Sequence, residues 1–318
     1  MEGMLGRVSR LWWMSVARLA LLVVCVGFAT SRLGLIVHEF VGHGGATLAI
    51  GGDVTDVHLF ALAGGWIRYR LPAAGGELVI AMGGIVVESV IGTALWLALR
   101  RRTPTLTTRI VRAIGAALVI HAAWYLATGT WHGYGDGTRL YRELGDARWI
   151  VAVPAGLVAC AMAFLGARHV LGVLAATIGP QRRVIGAVIA FAVAGGVQVG
   201  AAMTEVRLRR DTTYASTMRP ERDRIVAREM AEWEKEQARQ GSRADEEARR
   251  RMQAELARKN AVFPFIYVLG ALVVASIVAG ARLAQRPEAN LPGRLLARWA
   301  VAACASIALV IAIDALFH

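Results

Sequence analysis

The sequence predicts an all-α polytopic membrane protein of about seven transmembrane helices, with a small β-hairpin after the first and a charged helical hairpin outside the membrane. Three observations carry this reading. Of the 318 residues, 56% are hydrophobic and only 19% charged, where a soluble domain carries about 45–50% apolar and about 25% charged residues. The apolar residues fall in runs that approach or exceed the roughly 18–20 residues a bilayer span needs. The basic residues stand at the ends of those runs, among them Arg100, Arg101, Arg102, Arg182, Arg183, Arg282, Arg286, Arg294 and Arg298. A soluble enzyme, a disordered chain and a disulfide-rich module are excluded. The net charge of +13, from 36 Lys and Arg against 23 Asp and Glu, reflects loops that resist translocation and meet anionic lipid rather than a nucleic-acid footprint. Cys25, Cys160 and Cys304 lie within apolar runs, where a free thiol behaves as a small hydrophobe.

Along the chain, an apolar run begins at Leu11 and resumes after Ser31–Arg32 to reach Ile50, so it reads as one long uncleaved helix ended by Gly51–Gly52. Residues 53–72 alternate in short runs around Gly64–Gly65, the pattern of a small β-hairpin. Further spans follow at about 78–99, 110–130, 149–168, 184–204, 262–281 and 295–316, and the apolar stretch from Val170 to Ile178 is too short to cross. Residues 205–260 mix charges of both signs with sparse apolar anchors. Pro220 suits a first helical turn, Gly241–Ser242 interrupts the pattern, and Ser242 with Asp245 resembles a cap that restarts a helix. The expected organisation is 1–148 as a three-span core with the β-hairpin, 149–204 as two spans, 205–260 as the extramembrane hairpin and 261–318 as two C-terminal spans. The positive loops (the N-terminus, 100–112, 168–183 and 282–298) then share the cytoplasmic side of a cell (inner) membrane. Segments 51–77, 129–148 and 205–260 lie opposite.

An ionisable side chain within a span is a functional candidate by default. The first helix carries His38–Glu39–Phe40–Val41–Gly42–His43. Two imidazoles as ligands, with a neighbouring carboxylate to take the proton of a polarised water, make a zinc hydrolase site. Such a site needs a third ligand. Asp136, in Tyr134–Gly135–Asp136–Gly137 past the third span, is the candidate, and His132 competes with it. Glu88, in the middle of the second span, is a candidate for holding substrate or steadying the site. His121 and His169 read as helix–helix hydrogen-bonding groups, and Trp131, Tyr134, Tyr141 and Trp149 as an interfacial aromatic belt.

With these residues the chain resembles the site-2 protease family of intramembrane zinc metalloproteases. The matching pieces are His38–Glu39 and His43 on the first core helix, a glycine-containing hairpin, Met82–Gly83–Gly84 in the second span and Asp136–Gly137 closing the third, over roughly residues 20–145. The resemblance implies zinc held by His38, His43 and Asp136, with Glu39 as general base, and cleavage of the transmembrane or juxtamembrane segment of a membrane-anchored protein. Gly64 and Gly65 of the hairpin, with Glu88 and His132, are then candidates for contacting substrate or supporting the ligands.

The histidines stand five apart where the family has four. At roughly 100° per residue that is about 140° around an α-helix, too far apart to share one ion. A π-type turn between Val37 and Gly44 would bring them together. In the alternative, Glu39 and His43, four apart, are the ligands and His38 supports them. The family's Asn-Pro before Asp-Gly is absent, and its Gly-Pro in the second span is Gly-Gly here. A catalytically inactive relative that binds membrane proteins is therefore the competing reading. A transporter ranks last, because the ionisable groups cluster at one level.

Overall fold

The computed structural model describes residues 2–72, 75–102, 105–176, 178, 182–240, 246–282 and 291–318, and the side chains of these except 2–9 and 169–176. The chain is an all-α polytopic membrane protein. Among the described residues, seven helical segments are long and apolar enough to cross a bilayer, at Arg10–Ala49, Glu77–Ala98, Leu106–His132, Gly137–Arg168, Arg183–Arg209, Phe265–Arg282 and Gly293–Leu316. The seven expected spans fall within these or overlap them closely.

The first span is continuous but not uniform. Helix α1 (Glu2–Ile36) passes into a π-helix at Val37–Gly44 and then into α2 (Gly45–Ala49). The π segment falls between Val37 and Gly44, where a site using both His38 and His43 would require one. Strands β1 (Asp53–Leu59) and β2 (Gly65–Arg70) follow as an antiparallel hairpin, Val57 opposite Ile67 and Leu59 opposite Gly65, with a bulge between Val54 and Asp56. Period-2 alternation turns Val57 and Leu59 inward and leaves Asp56 and His58 half-buried. Helices α3 (Glu77–Ala98) and α4 (Leu106–His132) are the second and third spans. A short α5 (Gly137–Leu144) and one 3₁₀ turn lead into α6 (Trp149–Ala176), so Val170 to Ala176 continues the fourth span. Helix α7 (Arg183–Arg209) is followed by short α8 (Thr212–Thr217), then by α9 (Glu221–Arg239) and α10 (Glu246–Lys259). These last two form the expected charged hairpin, tied by Arg249–Glu234 at 2.6 Å and by Arg222 donating to the Ala257 carbonyl. Pro220 is the N-cap of α9. The Ser242–Asp245 cap lies outside the described residues. Helices α11 (Phe265–Arg282) and α12 (Gly293–Leu316) complete the chain.

The helices pack as a row. The π segment lies on α3, α3 on α4, α4 on α6 and α6 on α11, while α1 packs against both α7 and α12. Lipid offers no hydrophobic drive between helices, so close approach through small residues holds the row together. Ala116, Ala123 and Ala127 of α4 are buried, as are Ala152, Ala155, Ala159 and Ala163 of α6. Large side chains such as Leu157, Val188 and Val301 are exposed because the surrounding solvent is hydrocarbon.

The two ends of the bundle differ. At one, Val16, Leu19, Ile110, Ile178, Leu291 and Leu295 form a core cluster, and Arg18 donates to the Leu291 carbonyl at 2.7 Å. The described residues flanking the four basic loops therefore meet at one end. At the other, the β-hairpin, the 129–148 segment and the 205–260 block contact one another: Gly135 N–H donates to the Thr217 carbonyl, and Arg142 pairs with Glu221 at 3.1 Å. This grouping matches the charge count.

Candidate metal centre

The π-helix decides the geometry of the centre. An i→i+5 hydrogen-bond pattern puts residues five apart on one face, and the buried His38 and His43 both reach Asp136. His38 Nε2 lies 2.9 Å and His43 Nε2 3.3 Å from Asp136 Oδ2. One donor atom from each of the three residues falls within 4.8 Å of the others. The imidazole planes stand nearly perpendicular, 85° apart with centroids 4.8 Å apart.

The opposite nitrogens are tied back. His43 Nδ1 donates to the Ile80 carbonyl at 2.6 Å, and His38 Nδ1 meets Glu88 Oε2 at 3.2 Å. A carbonyl or carboxylate behind each ring nitrogen fixes the tautomer of metal-binding histidines. Glu88 is buried and also meets His121 Nδ1 at 2.9 Å, which joins α3 to α4 as expected for His121. The His169 side chain lies outside the described residues.

Each ring has an oxygen at both nitrogens, yet a neutral imidazole carries one N–H. Four oxygen contacts face two protons, so each neutral ring turns one bare nitrogen to a carboxylate: His43 to Asp136, and His38 to Asp136 or Glu88. A cation between them removes that repulsion, and so would protonation of both rings. Histidine, histidine and aspartate make a donor set that suits zinc, with a fourth position left for water.

Glu39 stands next to His38 on the π-helix and is 8% exposed. Among the described residues, no hydrogen bond or ion pair engages its carboxylate. A buried carboxylate without a protein partner, beside two histidines, is free to act on a proton or a metal.

Asp136 reaches the cluster through its turn. It is the N-cap of α5 yet makes no capping bond, since its side chain is given to the histidines. Gly135 before it has φ +52°, and the Tyr125 hydroxyl lies where a Cβ would stand. Burial alone would lift the Asp136 carboxyl, but His43 and His38 outweigh it and hold the group well below the usual carboxylate range. Gly84 of α3 explains the Met82–Gly83–Gly84 motif. A Cβ there would stand 2.7 Å from His38 Nε2.

The other candidates are placed elsewhere. His132 Nε2 accepts from the Ile266 N–H at 3.3 Å and does not join the cluster. Gly64 and Gly65 lie at the hairpin turn, against Tyr214 and Leu35, and do not touch the cluster. Trp131 packs on Phe263 and Phe265, the Tyr134 and Thr128 hydroxyls hydrogen-bond, and Trp149 is exposed.

Sequence reasoning missed the clamp on that turn. The Ala61, Leu62 and Ala63 N–H groups donate to the Glu205 carboxylate, at 2.8, 2.5 and 3.0 Å. Arg32, a buried cation inside the first span, donates to the Phe60 and Ala63 carbonyls. Asp211 accepts from the Trp66 indole at 3.0 Å, and Asp314 accepts from the Leu59 N–H at 2.8 Å. The one available signal was Arg32 itself, a charge within an apolar run. Its partners are unpatterned in sequence.

Searches against family models, curated proteins and solved structures returned no match to the chain. The fold and the side-chain cluster define a polytopic α-helical membrane protein with a candidate two-histidine, one-aspartate metal centre.

Proposed function

We propose that the protein is an intramembrane zinc metalloprotease that cleaves a membrane-anchored protein substrate within or beside its transmembrane segment. One observation carries this reading: His38 and His43 both turn Nε2 to Asp136 while their Nδ1 atoms are tied back, with the buried Glu39 beside them, to whose carboxylate no described residue hydrogen-bonds. Zinc bound by these three residues would supply Lewis acidity toward water and the scissile carbonyl. Glu39 takes the proton of the attacking water and returns it to the leaving amine. Glu88 and the Ile80 carbonyl hold the two imidazoles in orientation.

A helical substrate must unwind locally to expose its carbonyl. Among the described residues no third strand pairs with the hairpin. Strand β2 contacts the π-helix, and its outer edge would take an extended segment by strand addition. The centre lies near the end of the bundle opposite the basic loops, which the positive-inside rule assigns to the cytoplasm of the cell membrane.

Metal analysis of the purified chain tests the reading. His43→Ala is expected to lose one zinc equivalent relative to wild type, and equal zinc in the two would overturn it. Glu39→Gln is expected to keep that zinc and lose cleavage of single-span substrates in reconstituted vesicles. Loss of zinc in Glu39→Gln would make Glu39 a ligand. Zinc retention without cleavage by the wild type would favour the non-catalytic scaffold.

A further inference from the structure

We infer that Asp56, His58 and His318 form a second metal site, at the hairpin surface, for a divalent transition ion of the zinc class. It shares no residue with the first centre. Asp56 and His58 are two apart on β1, so both project from the face opposite Val57 and Leu59. The His58 ring is stacked on Trp66, its cross-strand partner, at 4.0 Å, and Asp56 Oδ2 lies 3.2 Å from His58 Nε2.

The third group arrives from the end of α12. Val310 of that helix is buried against Val57 and Leu59, and Asp314 accepts the Leu59 N–H. These contacts bring His318 onto the hairpin, its ring centroid 3.9 Å from that of His58. The donor atoms of Asp56, His58 and His318 all lie within 4.8 Å of one another. Tetrahedral zinc with bonds of about 2.0–2.1 Å needs donors about 3.3 Å apart. His318 lies beyond α12, so its side chain can close that gap. Two imidazoles and a carboxylate are the donors that such ions select, and the position is open to water, unlike the buried first centre. An ion held here joins the end of the last span to the hairpin.

The competing cation is Arg68, 3.9 Å from Asp56. A stack of Trp66, His58 and His318 without metal is the alternative arrangement, and the two differ in what they predict. The full-length protein, stripped with chelator and reloaded with Zn²⁺, is compared with His318→Ala and His58→Gln by metal content per chain. His318 is exposed, so its variant is expected to melt as wild type does in chelator. Each variant is expected to carry one zinc fewer than wild type and to lose a Zn²⁺-dependent rise in melting temperature. Arg68→Gln is expected to tighten Zn²⁺ binding several-fold, which a stack alone would not do. Equal zinc in His318→Ala and wild type overturns the proposal. A wild type holding one zinc, lost in His318→Ala but kept in His43→Ala, upholds this site and overturns the first.

Discussion

Gly84→Ala is the sharpest test of how the protein builds its central cluster. A Cβ at position 84 would stand 2.7 Å from His38 Nε2 and 2.8 Å from both Cδ2 and Cε1. Ordinary contact begins near 3.4 Å, so the ring must retreat by roughly 0.7 Å to be relieved. It has little room to do so. Glu88 holds Nδ1 at 3.2 Å and the Tyr125 ring stands 5.8 Å away, centroid to centroid. Metal–ligand distances tolerate about ±0.2 Å. A displacement several times larger at one of the three proposed ligands should weaken zinc binding by at least the 10–100-fold typical of losing a supporting partner. That is about 1.4–2.8 kcal/mol. The assay is competition with a chromophoric chelator on the purified chain, beside Val86→Ala, whose side chain is 50% exposed on α3. Wild-type zinc affinity in a folded Gly84→Ala protein would refute the reasoning.

Three further perturbations test the remaining geometry. Deleting Val41, which is 51% exposed, removes the one residue by which a π turn exceeds an α turn; the segment should revert to α-helix, keep its flanks in register and retain zinc through histidines four apart. Zinc loss from a folded deletion variant would show that the π geometry itself is required. Asp136→Ala should lower zinc content while His132→Ala leaves it unchanged, since His132 already accepts the Ile266 N–H; the reverse pattern would move the third ligand. Glu205→Ala strips the acceptor from three backbone N–H groups of the hairpin turn and should destabilise the protein by about 1–3 kcal/mol. Chemical denaturation reads that loss, and an unchanged midpoint would show that water takes over as the acceptor of these three N–H groups.

Much of this protein was determined by its sequence alone, because a bilayer imposes simple rules. Spans must be long and apolar and basic loops stay on one side, so the seven helices and the grouping of loops at each end are legible from hydropathy and charge. The hairpin at 53–72 was legible from its period-2 runs. The π turn was legible only as a condition: if His38 and His43 share one ion, five-residue spacing cannot serve it on an α-helix. Only the tertiary structure decided that the turn forms, for its irregular backbone is stabilised by packing against Gly83 and Gly84 of α3. It also placed Asp136, and not His132, beside the two histidines. Both stand at the end of the same span, His132 before Gly133 and Asp136 after Gly135, and which one turns inward depends on the conformation at Gly135 and on α11 satisfying His132. The Arg32–Glu205 clamp and the meeting of His58 with His318 join residues 173 and 260 positions apart in the chain. No local pattern encodes such pairs, because they are set by which helices pack together, and that choice is made by small-residue surfaces whose partners a single sequence does not specify.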